Sequence, residues 1–399
     1  SVTLAGRTVN VTGGEWSAQA LASTGTTTTL NGLDLTVATE NGMTVGNTVN
    51  LNLTNARINA PNLNITPASL TITGTDGAIT TGSGNLAVNA SGDVSIGGGT
   101  ISANNIALTS GSAMGISGSG LTATADISLS GDTSINISGG TMTGHAVNLS
   151  ATDITATGTI TADSLATTVD AANGTLTVGG QITVTNDLTL DSGKQTSVGG
   201  TVAAPNVTVS SNKDVAITGT IQAGSITASS TTADVTLDTN SVLTAADGTN
   251  SIAVTASAGS IAAKGQMTAG TITMTAPTLT VGADKKAIAA DTITITAADS
   301  LILNKANITT ANDLNLTSQL IRINDSSVTN TAGNLTISSI GAADLTLTSA
   351  ELTASSTDEG KGNIALHSAK GITATGGSMT ADKNISVTAG STTDAGATY

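Results

Sequence analysis

The chain has 399 residues, with 46 Gly, no Phe, one Trp, one Tyr and no Cys. The aromatic anchors that dominate most cores and binding pockets are nearly missing, and disulfides and thiolate metal sites are excluded. A formal charge of −15, from 27 acids against 12 Lys plus Arg, excludes a nucleic-acid partner, because phosphate backbones require clustered cations and Lys285 and Lys286 form the only adjacent basic pair.

No run approaches the roughly 20 apolar residues that span a bilayer, so the chain is expected not to cross a membrane. The first residues lack the basic-then-apolar pattern of a signal peptide, which leaves an unexported protein or a mature or trimmed piece of an exported one. At 38% apolar content the chain is too hydrophobic for disorder.

Residues 1–40 show no clean unit and read as irregular first turns or a cap. From there a four-residue pattern returns: a small polar residue, an apolar one, any residue, an apolar one. It reads NLNI at 62, NLAV at 85, NIAL at 105, DISL at 126, DLTL at 187, NVTV at 206, TITM at 271, DLNL at 313, NLTI at 334, NIAL at 363 and NISV at 384. From Leu63 to Ile385 its first apolar residue recurs over 322 residues in 15 intervals, a mean of about 21.5. Each interval holds two more apolar clusters, such as DVSI at 93 and TISA at 100, or DVAI at 214 and TIQA at 220.

Alternation of apolar and polar residues sends successive side chains to opposite faces of an extended strand, and the Gly, Asn, Asp and Ser between clusters supply tight turns. Thr, Ser, Asn and Gly disfavour helix throughout. A unit of three short strands cannot bury an apolar face alone and must stack on its neighbours. The predicted fold is therefore all-β, a right-handed parallel β-helix of about 18 turns of 20–22 residues, three strands per turn, in one shaft domain over 1–399.

Asn62, Asn85, Asn105, Asn206, Asn334, Asn363 and Asn384 head the first strands and are expected to stack as an amide ladder. Ala after the third strand predicts a corner too narrow for a large side chain. Two intervals are long, which predicts bulged turns near 238–251 and 355–362. Insertions in a solenoid map to surface loops, so Asp238, Asp247, Asp358 and Glu359 are the candidate partner-contact residues.

No catalytic or cofactor constellation is read from the chain. Arg7, Arg57 and Arg322 lie on distant turns, and His145 and His367 are some eleven turns apart, too far to share a metal or a triad. Neither the GGxGxD nonapeptide nor an EF-hand loop is present, so no calcium site is expected. Among outward pairs of the first strand only Thr271 with Thr273 and Thr292 with Thr294 give neighbouring Thr-x-Thr turns, too few for an ice-binding face.

The repeat, with an Asn-led NLTL-like strand, a DVTI-like strand and a GxIxA-like strand, resembles the haemagglutinin-type repeats of two-partner-secretion exoproteins of Gram-negative bacteria over roughly 40–399. That group includes filamentous haemagglutinin adhesins, biofilm-matrix adhesins and contact-dependent inhibition shafts. The resemblance implies export through a dedicated outer-membrane β-barrel partner, folding at the cell surface or in the medium, and adhesion to a cell-surface receptor or matrix polysaccharide. The NPNL and NPNG motifs of the family's secretion domain are not found; APNLNIT at 60 belongs to a turn. A second reading is a direct polysaccharide-binding module using outward Asn, Thr and Asp ladders.

Overall fold

A computed structural model describes residues 1–246, 250–282 and 286–390. Among them there is no helix, and every strand pairing is parallel. The fold is a β-solenoid of about 18 turns, each contributing a first, a second and a third strand. The chain divides into two compact units, residues 1–193 with 200–202 and residues 194–199 with 203–399.

In the first unit the plan is clearest at Leu86–Ala90, Val94–Gly97 and Thr100–Ala103, which pair with Ile106–Ser110, Ala113–Ser117 and Gly120–Ala123 one turn on. Residues of one kind face their like. Leu86, Ile106, Ile127 and Val147 form a single inward column, each at most 1% exposed. Such a column excludes water from a strip of aliphatic surface worth roughly 25 cal/mol per Å², and its neighbours along the strand-pairing direction are supplied by the turns before and after. Residues 2–37 follow the same plan, with Val2–Leu4, Thr8–Thr12 and Glu15–Ala18 pairing in register with Leu21–Ser23, Thr27–Asn31 and Asp34–Val37.

In the second unit the columns run Ile226, Ile252, Ile272 and Ile293 on the first strand, and Leu279, Leu301 and Ile321 on the second. Two strands here pass through corners without a break, Gln266–Val281 and Ala287–Asn304. Their register shifts between Ala276 and Thr278, at Pro277, which has no N–H to give to the ladder. The long interval before Ile252 holds the third strand Val242–Ala245 between a tight turn at 238–241 and the residues leading to Ser251. Residues 355–363 form a loop between Glu351–Ala354 and Ile364–Ser368.

Each corner has its own residue chemistry. The first, between first and second strands, carries inward Ser: Ser110 and Ser192 in the first unit, Ser211, Ser230, Ser318, Ser339 and Ser368 in the second, all buried. A buried hydroxyl needs partners, and Ser110 Oγ donates toward the carbonyls of Gly92 at 2.8 Å and Ala113 at 2.9 Å. The second corner passes through left-handed backbone, at Gly118 and Gly139 in the first unit and at Lys305, Asp325, Ser349 and Gly376 in the second. Gly140 follows with φ +78°, and a Cβ there would run into the carbonyl of Ser119 on the preceding turn. The third corner carries the expected alanines, Ala103, Ala123 and Ala162 in one unit and Ala223, Ala245 and Ala269 in the other, none more than 9% exposed.

Candidate functional site

Of the loop acids proposed from the sequence, Asp238 lies in one turn, and Asp358 and Glu359 lie together in another loop. Asp238 shapes its own turn: Oδ1 accepts the N–H of Thr239 at 2.7 Å, and its carbonyl accepts the Ser241 hydroxyl at 2.8 Å. Asp358 lies in the 355–363 loop, where its carboxylate is 3.9 Å from Lys361 Nζ and its N–H donates to Ser356 Oγ at 3.1 Å. Glu359 beside it is exposed. Asp247 lies outside the described residues. Asp238 thus lies apart from Asp358 and Glu359, and among the described residues no three His, Asp or Glu side chains stand close enough to hold a metal ion.

The strand-head polar residues are occupied in joining turns. In the first unit Asn62 Oδ1 accepts the Asn85 N–H at 2.6 Å, Asn85 Oδ1 accepts Asn105 Nδ2 at 2.9 Å, and Asn105 Oδ1 accepts the Asp126 N–H at 3.1 Å. The second unit repeats this from Asp313 through Asn334 and Asn363 to Asn384. The amide ladder expected from the sequence is present at these positions. Acids at the head of the second strand do the same work, a role the sequence reading missed. Asp153 Oδ1 accepts the Thr175 N–H at 2.8 Å and its hydroxyl at 2.7 Å, and Asp234 Oδ1 accepts the Ser260 N–H at 2.7 Å and its hydroxyl at 2.9 Å. A carboxylate offers only acceptors, which suits a position facing the next turn's N–H.

His145 enters the third-corner column between two carboxylates, with Nδ1 3.7 Å from Asp126 and Nε2 3.5 Å from Asp163. Its two nitrogens point to different acids, so the three groups do not converge on one point. His367 lies in the other unit, on the outward face of Ile364–Ser368.

Outward faces differ from one another. On the third strands of the first unit Ser102, Thr122, Thr143, Thr161 and Thr183 form one exposed column across successive turns. The hydroxyl repeat sought on the first strands is longer here, because the TISA, TMTG and TITA segments place Ser or Thr at the same outward register.

The first three turns carry the most varied chemistry on this face. Pairing puts Glu15, Asp34 and Arg57 in one outward column and Ser17, Thr36 and Asn59 in the next. Arg57 Nη1 lies 3.8 Å from Asp34 Oδ2, with both side chains about half exposed. These side chains and the half-buried Trp16 border a groove of about 460 Å³. The register across three turns brings Glu15, Asp34 and Arg57 into one column, while Trp16 stands in the inward column with Leu35 and Ile58. No family model, curated protein or solved structure matches the chain.

Proposed function

We propose that the chain is a structural and adhesive shaft of a large Gram-negative surface or secreted exoprotein, exported through an outer-membrane β-barrel partner and acting in cell-cell, host-cell or matrix attachment. The observation that carries this reading is the turn-on-turn register within each unit, where aliphatic columns and polar corner ladders repeat with little variation. Contacts of that kind are local in sequence, so folding can propagate from turn to turn after passage of an unfolded, cysteine-free chain through a pore. An acidic surface poor in aromatic residues supports solubility and limits nonspecific association. We read the chain as non-catalytic, since its acids support the backbone of neighbouring turns.

Attachment is tested by coating beads with the purified chain and challenging them with bacterial cells and matrix polysaccharide, in calcium-free buffer and again with calcium. Retention of cells or matrix above that of beads coated with the denatured chain is expected. Equal retention by native and denatured coatings contradicts the adhesive part of the reading.

The direct polysaccharide-binding alternative uses outward Asn, Thr and Asp ladders, and of these the Thr column through Thr122 and Thr143 is exposed while the Asn side chains join turns. The carbonyls of Asn62, Asn85, Asn334 and Asn363 already accept hydrogen bonds from the next turn.

A further inference from the structure

In the second unit the first strands of five consecutive turns carry an outward face without charge. Residues 206–210, 225–229, 251–255, 271–275 and 292–296 pair in unbroken register. The middle outward column is Thr208, Thr227, Ala253, Thr273 and Thr294, and the columns on either side hold Ser or Thr at every turn except Asn206. Thirteen of these fifteen outward positions bear a hydroxyl, although the chain has 27 acids. On the next turn a charge returns, as Asp313. The Thr-x-Thr pairs visible in the sequence covered only the turns at Thr271 and Thr292; the register adds a third outward position and brings in the turns at Ser225 and Ser251.

Strand pairing spaces the turns about 4.8 Å apart, and alternation spaces outward residues about 6.7 Å apart along each strand, so the hydroxyls form a grid in two directions. Most of these residues are half-buried, each flanked by its like on the turns before and after, and the branched Thr side chain has little freedom at χ1. The grid therefore has a fixed geometry. It has no aromatic platform for a sugar ring and no charge for an ion. Its area, roughly 500 Å² from those spacings, is short of the ~800 Å² per partner that a stable pair of proteins buries. What it offers is a hydroxyl that both donates and accepts, as water does, beside a methyl group, repeated at one spacing. A ligand gains from every row of such a grid only if it repeats too, and crystalline water does so on this scale. We propose that this face binds the surface of ice. Water held between the Thr rows joins the grid to the lattice, since water-mediated hydrogen bonds are nearly as favourable as direct ones. This activity is separate from attachment to cells or matrix and does not rest on it.

Ice itself is the probe. The full purified chain is cooled in buffer seeded with slowly growing ice, and its concentration in the ice is compared with that of an inert protein of similar size. Recrystallisation of a frozen film is followed in parallel. Enrichment in ice and slower recrystallisation are expected. Thr273→Lys and Thr294→Lys, each of which sets a long charged side chain in the middle column, are expected to abolish both effects. Thr143→Lys, on the third-strand column of the other unit, is expected to leave them unchanged. Circular dichroism confirms the fold of each variant, and the two grid variants are read independently. Exclusion of the native chain from ice to the same extent as the inert protein, or full activity in folded Thr273→Lys and Thr294→Lys, would overturn the proposal. So would retention on crystalline cellulose or chitin, lost in the same two variants, without enrichment in ice.

Discussion

Asn334 Oδ1 receives two hydrogen bonds from Asn363 on the next turn, one from its backbone N–H at 3.0 Å and one from Nδ2 at 2.9 Å. Asn363 then offers its own Oδ1 to the N–H of Asn384 at 3.2 Å and to its Nδ2 at 2.9 Å. One residue type thereby fixes the register of a corner twice per turn, through its acceptor and its donor.

Replacing Asn363 by Ala removes both halves of this link. A cost of about 1–3 kcal/mol is expected, from hydrogen bonds worth roughly 1 kcal/mol each. Asn363→Asp keeps the acceptor for the Asn384 N–H but sets an oxygen in place of the Nδ2 donor, against Asn334 Oδ1 and the Gly360 carbonyl, and is expected to destabilise as well. Chemical denaturation gives the size. Hydrogen exchange gives the place: faster exchange at Asn384 and its neighbours, with turns farther along unchanged, follows from nearest-neighbour stability.

Gly140 sits in left-handed backbone at φ +78°, under the carbonyl of Ser119. Gly140→Ala is expected to destabilise by about 1–2 kcal/mol from the backbone conformation alone, with the overlap adding to it. A lower denaturant midpoint with an unchanged slope checks this; an unchanged midpoint would show that the corner relaxes freely.

Asp170 Oδ1 accepts the N–H groups of Asn173 at 2.7 Å and Ala172 at 2.9 Å, and these hold its carboxyl below the ordinary value of 3.8. The folded value is the lower one, so this carboxylate favours the folded loop above pH 3.8 and the contribution fades as pH falls through the depressed value. Titration of the Asp170 carboxyl by NMR should show a midpoint below that of an unfolded peptide. Asp170→Asn should remove the acid dependence of amide exchange at Ala172 and Asn173.

Much of this was legible in the chain because most strands are short alternations of apolar and polar residues and most corners are breaks of small residues. The columns through Leu86 and Ile106, the alanines of the third corner and the ladder through Asn85 and Asn105 all follow from period and residue type. Other features required the register. Asp153 and Asp234 look like turn residues in sequence, and only the strand stacked above shows that they accept from Thr175 and Ser260. The inward Ser110 is indistinguishable from an outward Ser until the corner places two carbonyls beside it. The outward column of Glu15, Asp34 and Arg57 was hidden for a related reason: Thr28 stands where the next turn holds Leu51 and Ser23 where it holds Val45, so the pattern of these turns is weak although their pairing is regular.

The shaft reading is tested most directly by changing the number of turns. Removing residues 106–146 takes two whole turns from the first unit and joins Asn105 to Val147, which stands in the same column as Ile106 and Ile127. With one end fixed to a polymer-coated bead and a tag at the other, capture of a soluble tag-binding protein reports how far the chain presents its end. The shaft account predicts that the excised chain still folds, that capture falls as the stack shortens by about 5 Å per turn, and that duplicating the same residues raises it. Capture independent of the number of turns would contradict the account.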